Sequence, residues 1–326
     1  MRIGKTEYRH GLFLAPMANV TDHPFRSICV SYGAEGVCTE LISSKAVCHG
    51  DRKTDLLARL YEDERPAAVQ LFGHEPEVMA EAAARIQELS PAYIDLNFGC
   101  PMPKLVCNGD GCALMLQPDL CGRIVRAVSD RVSCPVTVKI RKGWSETEAN
   151  AVLVATVCEQ NGASAVFVHG RTKDQLYSGK ADREIIAEVK KAVSIPVIGN
   201  GDVDSPESAK DMFERTGCDG IMIGRGAYGR PWLFRDLRNA MENGWADACM
   251  KPEPPDAGEI RAVVRRQIRA LEEEKGTRAL VEMRKHLTKY CRDLPGSAKM
   301  RERINSASTR KELEDIADLL FPDGTD

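Results

Sequence analysis

The sequence has little of what marks membrane, secreted or disulfide-stabilised proteins. No apolar run approaches the roughly 20 residues that span a bilayer, and the first residues lack the apolar core of a signal peptide. The chain holds 12 cysteines, yet none forms a Cys-x-x-Cys pair, the spacing typical of redox and zinc sites. We therefore expect a cytoplasmic protein whose cysteines are mostly reduced and buried.

Two further absences narrow the function. No Gly-x-Gly-x-x-Gly motif follows the first predicted strand, so a tightly bound nicotinamide dinucleotide is not indicated. The net charge of −3 gives by itself no sign of a nucleic-acid partner. The charge is unevenly spread, however, because residues 259–311 hold 15 Lys and Arg against 7 Asp and Glu, which leaves −11 for the rest. This basic segment is a candidate for binding an anionic polymer, although a solvated helical face would explain the same charges.

Short apolar runs alternate with amphipathic stretches along the first two thirds of the chain. Eight runs are typical of strands buried on both faces: Leu12–Ala15, Gly36–Thr39, Ala67–Phe72, Tyr93–Leu96, Pro135–Ile140, Ala165–Val168, Ile195–Ile198 and Gly220–Ile223. Helical patterns lie between them, among them Pro76–Leu89 and Thr147–Asn161. Eight βα units predict an α/β fold of the (β/α)8 TIM-barrel type. A doubly wound open sheet is the alternative, although it more often has fewer strands.

The composition changes after residue 245. Lys251-Pro252-Glu253-Pro254-Pro255 is typical of a stiff linker. Four helical patterns follow, at Glu259–Lys275, Arg278–Arg292, Ala298–Ala307 and Lys311–Leu320. We therefore predict a catalytic barrel over residues 1–245 and a small helical-bundle domain over residues 256–326.

Polar or glycine-rich clusters stand at the end of nearly every predicted strand, which is the rim where TIM barrels place their active sites. They are Pro16-Met17-Ala18, Gln70, Asn97 with Cys100, Lys139 with Arg141, His169 with Arg171, Asn200-Gly201-Asp202, and Gly224-Arg225. The loops after the last two strands commonly bind phosphate in such barrels. An unpaired lysine is costly to bury, so we expect Lys139 to face an anionic or electron-rich ligand, unless it pairs with Asp95 or Glu40.

A flavin meets these demands together, with its phosphate on the last two loops and its ring near Gln70 and Lys139. Cys100 lies in a Gly-Cys-Pro turn, and a thiol with a pKa of about 8.5 can serve as a general acid at neutral pH. The four cysteines from Cys100 to Cys121 follow a Cys-x6-Cys-x4-Cys-x8-Cys spacing, which matches no standard ligand pattern. We therefore expect no metal.

Taken in order, these motifs resemble those of the tRNA-dihydrouridine synthase family, in particular its bacterial B-type members. The resemblance is carried by residues 15–22, 69–73, 95–101, 138–141, 169–172, 199–202 and 223–226, and it covers nearly the whole chain. It implies FMN bound by Pro16, Met17, Ala18, Gln70, Lys139, His169, Asn200, Gly201, Asp202, Gly224 and Arg225. It also implies NADPH as the reductant. One departure is Arg183, which stands where the family often has tryptophan.

The resemblance further implies the reaction and the partner. Specific uridines in the D-loop of tRNA are reduced to 5,6-dihydrouridine, with a hydride from reduced FMN to C6 and a proton from Cys100 to C5. Asn97 is expected to orient the uracil, and Arg141 and Arg171 to contact the substrate. The helical domain is implied to bind tRNA, and we expect a monomer that does not bind membranes.

Three other functions stay open on the residues alone. A flavin dehydrogenase of small pyrimidines shares the strand-end lysine, but it does not call for a basic helical appendage. A Schiff-base aldolase that used Lys139 would be colourless, and borohydride would trap its substrate. An RNA-binding scaffold without catalysis has no need of Cys100 and Lys139.

Overall fold

A closed parallel barrel forms the centre of the computed structural model, which describes residues 1–246, 248–250, 252–253, 255–292, 294 and 297–322. Its strands are β1 Leu12–Leu14, β2 Val37–Ser43, β3 Ala67–Phe72, β4 Ile94–Asn97, β5 Val136–Gly143, β6 Ala165–Thr172, β7 Val197–Asn200 and β8 Gly220–Ile223. They pair in the order β1-β8-β7-β6-β5-β4-β3-β2, and a bridge between Phe13 and Gly36 joins the two ends. The predicted TIM barrel is therefore confirmed.

Helices cover the outside of the barrel. They are α1 His23–Ser31, α2 Ser44–Cys48, α3 Arg52–Ala58, α4 Pro76–Gln87, α5 Pro103–Val106, α6 Pro118–Arg131, α7 Ala151–Gln160, α8 Arg183–Ala192, α9 Pro206–Thr216 and α10 Leu233–Glu242. The helix that the sequence predicts from Thr147 begins only at Ala151. The reason is an antiparallel bridge between Gly143 and Ala149, which draws the preceding residues back onto the end of β5.

The inside of the barrel changes character along its axis. Alternate strand residues point inward, and those near the strand starts form an apolar cluster that includes Phe13, Phe167 and Met222. A short hairpin of Arg2–Ile3 and Thr6–Glu7 contributes Ile3 to the same cluster, and Tyr8, directly after the hairpin, also belongs to it. Nearer the carboxyl ends of the strands, the inward residues are polar. These polar groups therefore lie at the end of the barrel where the strands finish, which we call the mouth.

Four further helices follow the barrel: α11 Ala257–Lys275, α12 Leu280–Tyr290, α13 Ser297–Ser306 and α14 Arg310–Leu320. They enclose a second core that also takes in Ile28 of α1 and Trp232 before α10. The predicted linker includes residues 251 and 254, which lie outside the described residues. Over the part of the chain that the structure describes, no helix has the length and apolar character needed to cross a membrane.

Candidate active site

The loop after β4 carries Cys100 at the mouth of the barrel. The side-chain oxygen of Asn97 accepts hydrogen bonds from the backbone N–H groups of Gly99 at 3.2 Å and Cys100 at 2.9 Å, so it holds the turn. Gly111 packs behind the turn, where a Cβ atom would lie 2.6 Å from the carbonyl oxygen of Cys100. Burial raises the pKa of the partly exposed Cys100 thiol, which is therefore protonated at neutral pH.

Below Cys100, buried polar side chains connect the barrel interior to the turn. The Asp95 carboxylate accepts from Thr137 Oγ1 at 2.6 Å and from Gln70 Nε2 at 2.7 Å. Gln70 Oε1 in turn accepts from Asn97 Nδ2 at 2.8 Å. Burial raises the pKa of Asp95 to about 6. Gln70 is thus fully buried between two side chains, and its cofactor contact stays a prediction.

Lys139 projects from β5 into the mouth, partly buried. Its Nζ donates to Asn200 Oδ1 at 3.1 Å, and the Asn200 amide nitrogen is held by the Met222 carbonyl at 2.7 Å. Within the described part of the chain, no ion pair joins Lys139 to Asp95 or Glu40. Burial and the nearby Arg141 lower the pKa of Lys139 to about 8. Among the described residues, the Lys139 ammonium has only a neutral amide as its hydrogen-bond partner, and such a group fits an anionic or electron-rich ligand.

A cluster of charges occupies the ends of β6, β7 and β8. The Asp202 carboxylate pairs with the buried Arg171 at 2.8 Å and with the half-exposed Arg225 at 3.3 Å. It also accepts from the N–H of Ala181 at 2.7 Å. The guanidinium of Arg225 lies 4.9 Å from the ring centre of Tyr177. A cavity of about 670 Å³ opens beside this cluster.

The predicted residues of β1 and β8 lie next to each other at the rim. Pro16, Met17 and Ala18 follow β1 and are partly or fully exposed. A Cβ atom at Gly224 would lie 3.6 Å from Met17 Sδ, so the loops after β1 and β8 are in contact distance. The structure therefore brings these residues together on the same mouth as Lys139.

Two predicted residues are enclosed by protein. Burial and four surrounding cations hold the pKa of His169 well below its ordinary value, so its imidazole is neutral at physiological pH. Arg141 is 2% exposed. It donates to the carbonyls of Gly99, Thr172 and Leu176 at 2.8–2.9 Å, which ties the Cys100 loop to the loop after β6. The predicted substrate contacts of Arg141 and Arg171 stay predictions.

The sequence did not predict the hydrogen bonds of Asp95 and Thr137 or the contact of Arg225 with the ring of Tyr177. Asp95 and Thr137 could have been found, because each stands two residues before a predicted site residue on a buried strand and so faces the same way. Tyr177 lies in an irregular loop, where no periodicity gives a signal. Arg183 was noticed only as a departure, yet it contacts the loop after β7.

Comparisons with known proteins show the family to which the chain belongs. A family model described as "Dihydrouridine synthase (Dus)" matches residues 13–322. The tRNA-dihydrouridine synthase B of Pseudomonas aeruginosa is 42% identical over 311 residues, which cover 94% of this chain and 91% of that protein. A probable tRNA-dihydrouridine synthase of Rickettsia bellii is 40% identical, with 94% and 93% covered.

A solved structure, histamine dehydrogenase from Rhizobium sp. 4-9, matches with a TM-score of 0.59 at 13% identity. The match covers 82% of this chain and 50% of that one, and it shows a shared fold alone. The family model and the curated relatives are evidence for the family, because their matches span nearly the whole chain. The chain therefore belongs to the dihydrouridine synthase family, and within it to the B-type subgroup.

Proposed function

We propose that this protein reduces D-loop uridines of tRNA to 5,6-dihydrouridine, with FMN bound at the barrel mouth and NADPH as the reductant. The observation that carries the proposal is the position of Cys100, whose backbone N–H is bound by Asn97 on the same mouth as Lys139. The names of the curated relatives support tRNA as the substrate.

The residues at the mouth fit FMN. Arg225 and the loop Asn200–Asp202 offer a cation and backbone amides for the phosphate, and Lys139 offers a cation for an electron-rich ring. Pro16, Met17 and Ala18 offer an apolar edge at the same rim. When bound there, FMN would supply the hydride that saturates a pyrimidine double bond.

Cys100 would supply the other half of the reduction. Saturating the C5–C6 bond of uracil requires a proton at C5 in addition to the hydride at C6. Because burial raises the pKa of Cys100, the thiol retains its proton until the uracil takes it. Asn97 fixes the turn from one side, and Arg141 fixes it from the other through the Gly99 carbonyl.

Exposed cations on the C-terminal helices would bind the tRNA backbone. The exposed cations are Arg292, which follows α12, and Lys299, Arg301 and Arg303 on α13. None of the four has an ion-pair partner within the described ranges. Such cations neutralise phosphates, and this holds the tRNA while the target base leaves its stack to reach the barrel.

The test is to purify the protein, record its visible spectrum, and incubate it with NADPH and unmodified tRNA. We expect a yellow protein that forms dihydrouridine in tRNA and does not act on dihydroorotate. A colourless protein without bound FMN would contradict the proposal. Borohydride trapping of a substrate on Lys139 would favour an aldolase instead.

A further inference from the structure

Arg183 is attached to the backbone of the loop after β7. It is the first residue of α8 and is buried, with 7% of its surface exposed. Its Nη1 donates to the Gly201 carbonyl at 2.7 Å, and its Nη2 donates to the Asp202 carbonyl at 3.3 Å. Its Nε donates to Asp211 at 3.2 Å. One planar guanidinium therefore holds two successive carbonyls of the loop.

These contacts fix where the neighbouring amides point. In a trans peptide the N–H is directed opposite to the carbonyl of the same plane. Since Arg183 draws the carbonyls of Gly201 and Asp202 toward itself, the N–H groups of Asp202 and Val203 are aimed away from it. Neither amide donates a hydrogen bond to another residue of the described chain.

Two consecutive residues of this loop have a positive φ. Gly201 has a φ of +120° and Asp202 has a φ of +50°. Successive amides in such conformations form concave sites for anions. The left-handed conformation is costly for Asp202, and it persists only where the surroundings enforce it. Arg183, which lies on a helix outside the barrel, holds Asp202 in this conformation through its hydrogen bonds.

We infer that Arg183 is a positioning residue that holds the amides of Asp202 and Val203 in place for a phosphate group. The inference rests on the proposed binding of FMN, whose phosphate is the group concerned. The hydrogen bonds that Arg183 donates to the loop carry the inference, and no direct contact with the phosphate is part of it. Arg183 would contribute to the affinity for FMN by holding the loop after β7 in place.

The test compares Arg183→Met with Arg215→Met. Arg215 is exposed and pairs with Glu184 and with the same Asp211, at 2.8 and 3.8 Å, so it is a matched control that does not touch the loop. Asp211 keeps Arg215 as a partner when Arg183 is replaced. Holoenzyme loaded with FMN, or exchanged into riboflavin by dialysis, is diluted, and flavin release is followed by fluorescence.

We expect Arg183→Met to bind FMN about tenfold more weakly, the effect of one or two lost hydrogen bonds, and to bind riboflavin unchanged, because riboflavin has no phosphate. Arg215→Met should match wild type with both flavins. If Arg183→Met does not fold, Arg183→Lys serves instead, since one ammonium cannot hold both carbonyls in the same geometry.

Equal weakening of FMN and riboflavin, or unchanged FMN affinity, would overturn the inference while the proposed function stands. A wild-type protein that retains no flavin would overturn the proposed function, and the inference with it. Thermal unfolding of the variants, measured alongside, separates a loss of folding from a loss of phosphate binding.

Discussion

The side chain of Asn97 joins Gln70 to the backbone of Cys100. Its nitrogen donates to Gln70 Oε1 at 2.8 Å, while its oxygen accepts from the Cys100 N–H at 2.9 Å. The turn that carries the thiol is thus connected to the buried Asp95 below it. Since buried polar groups are costly to leave unpaired, the place of Cys100 depends on residues that lie inside the barrel.

Asn97→Ala tests this connection. We expect kcat to fall about tenfold or more, because the turn loses its two side-chain hydrogen bonds and the thiol is less well placed. Stability to urea should fall by about 1–3 kcal/mol, since Gln70 Oε1 is left without its donor. A raised KM for tRNA at constant kcat would point instead to direct contact between Asn97 and the uracil.

Replacing the thiol tests the proton donor itself. Cys100→Ala should lower the rate of dihydrouridine formation about 10²–10⁴-fold, the usual contribution of a positioned general acid. The visible spectrum should be unchanged. The exposed Cys107 on the same loop provides the control, and Cys107→Ala should act like wild type. If Cys100→Ala kept full activity, the proton would have to come from another group.

If Lys139 faces FMN as proposed, its lowered pKa of about 8 should make FMN affinity depend on pH. Below this pH the ammonium is charged and attracts an anion, whereas above it the charge is lost. We therefore expect the Kd for FMN to rise between pH 7 and 9.5, a range in which the FMN phosphate is already ionised. Lys139→Met should bind more weakly and show a flatter profile. Identical profiles for the two proteins would remove Lys139 from the cofactor site.

The exposed cations of α13 should contribute to tRNA affinity in a salt-dependent way. Replacing Lys299, Arg301 and Arg303 by Gln should weaken binding and reduce the slope of log K against log salt by about one for each lost phosphate contact. The control replaces Lys5, Arg9 and Lys191, three exposed cations elsewhere on the molecule, by Gln. Filter binding at several salt concentrations measures both. Equal losses in the two triple variants would indicate a general charge effect.

The contact between barrel and helices can be tested at Gly229. A Cβ atom there would lie 2.6 Å from the carbonyl carbon of Lys289, and Gly229 has a φ of +79°. Gly217 has a φ of +65° but open space around it, so Gly217→Ala measures the backbone strain alone. We expect Gly229→Ala to destabilise by about 1–3 kcal/mol more than Gly217→Ala in urea unfolding. Equal losses of stability would mean that α12 does not pack tightly against Gly229.

The sequence predicted those features of the fold that depend on local residue patterns. Apolar runs located all eight strands because a parallel barrel strand is buried on both faces. The positions of Lys139 and Asn200 on one rim followed from the same pattern. Contacts between residues that are far apart in the sequence could not be predicted from that pattern. Gln70 and Asn97 are 27 positions apart, and their hydrogen bond depends on how β3 and β4 pair. The attachment of Arg183 to the Gly201 carbonyl depends on how α8 packs beside the loop after β7, which the N-cap residue Asp182 alone does not give.

The shared core between barrel and helices bears on how the protein can be divided. Ile28 and Trp232 belong to the barrel portion, yet they are enclosed only once the C-terminal helices are packed against them. A fragment that stopped at residue 245 would present these two side chains to water, and such surfaces drive self-association. The barrel portion is therefore expected to self-associate when it is expressed by itself.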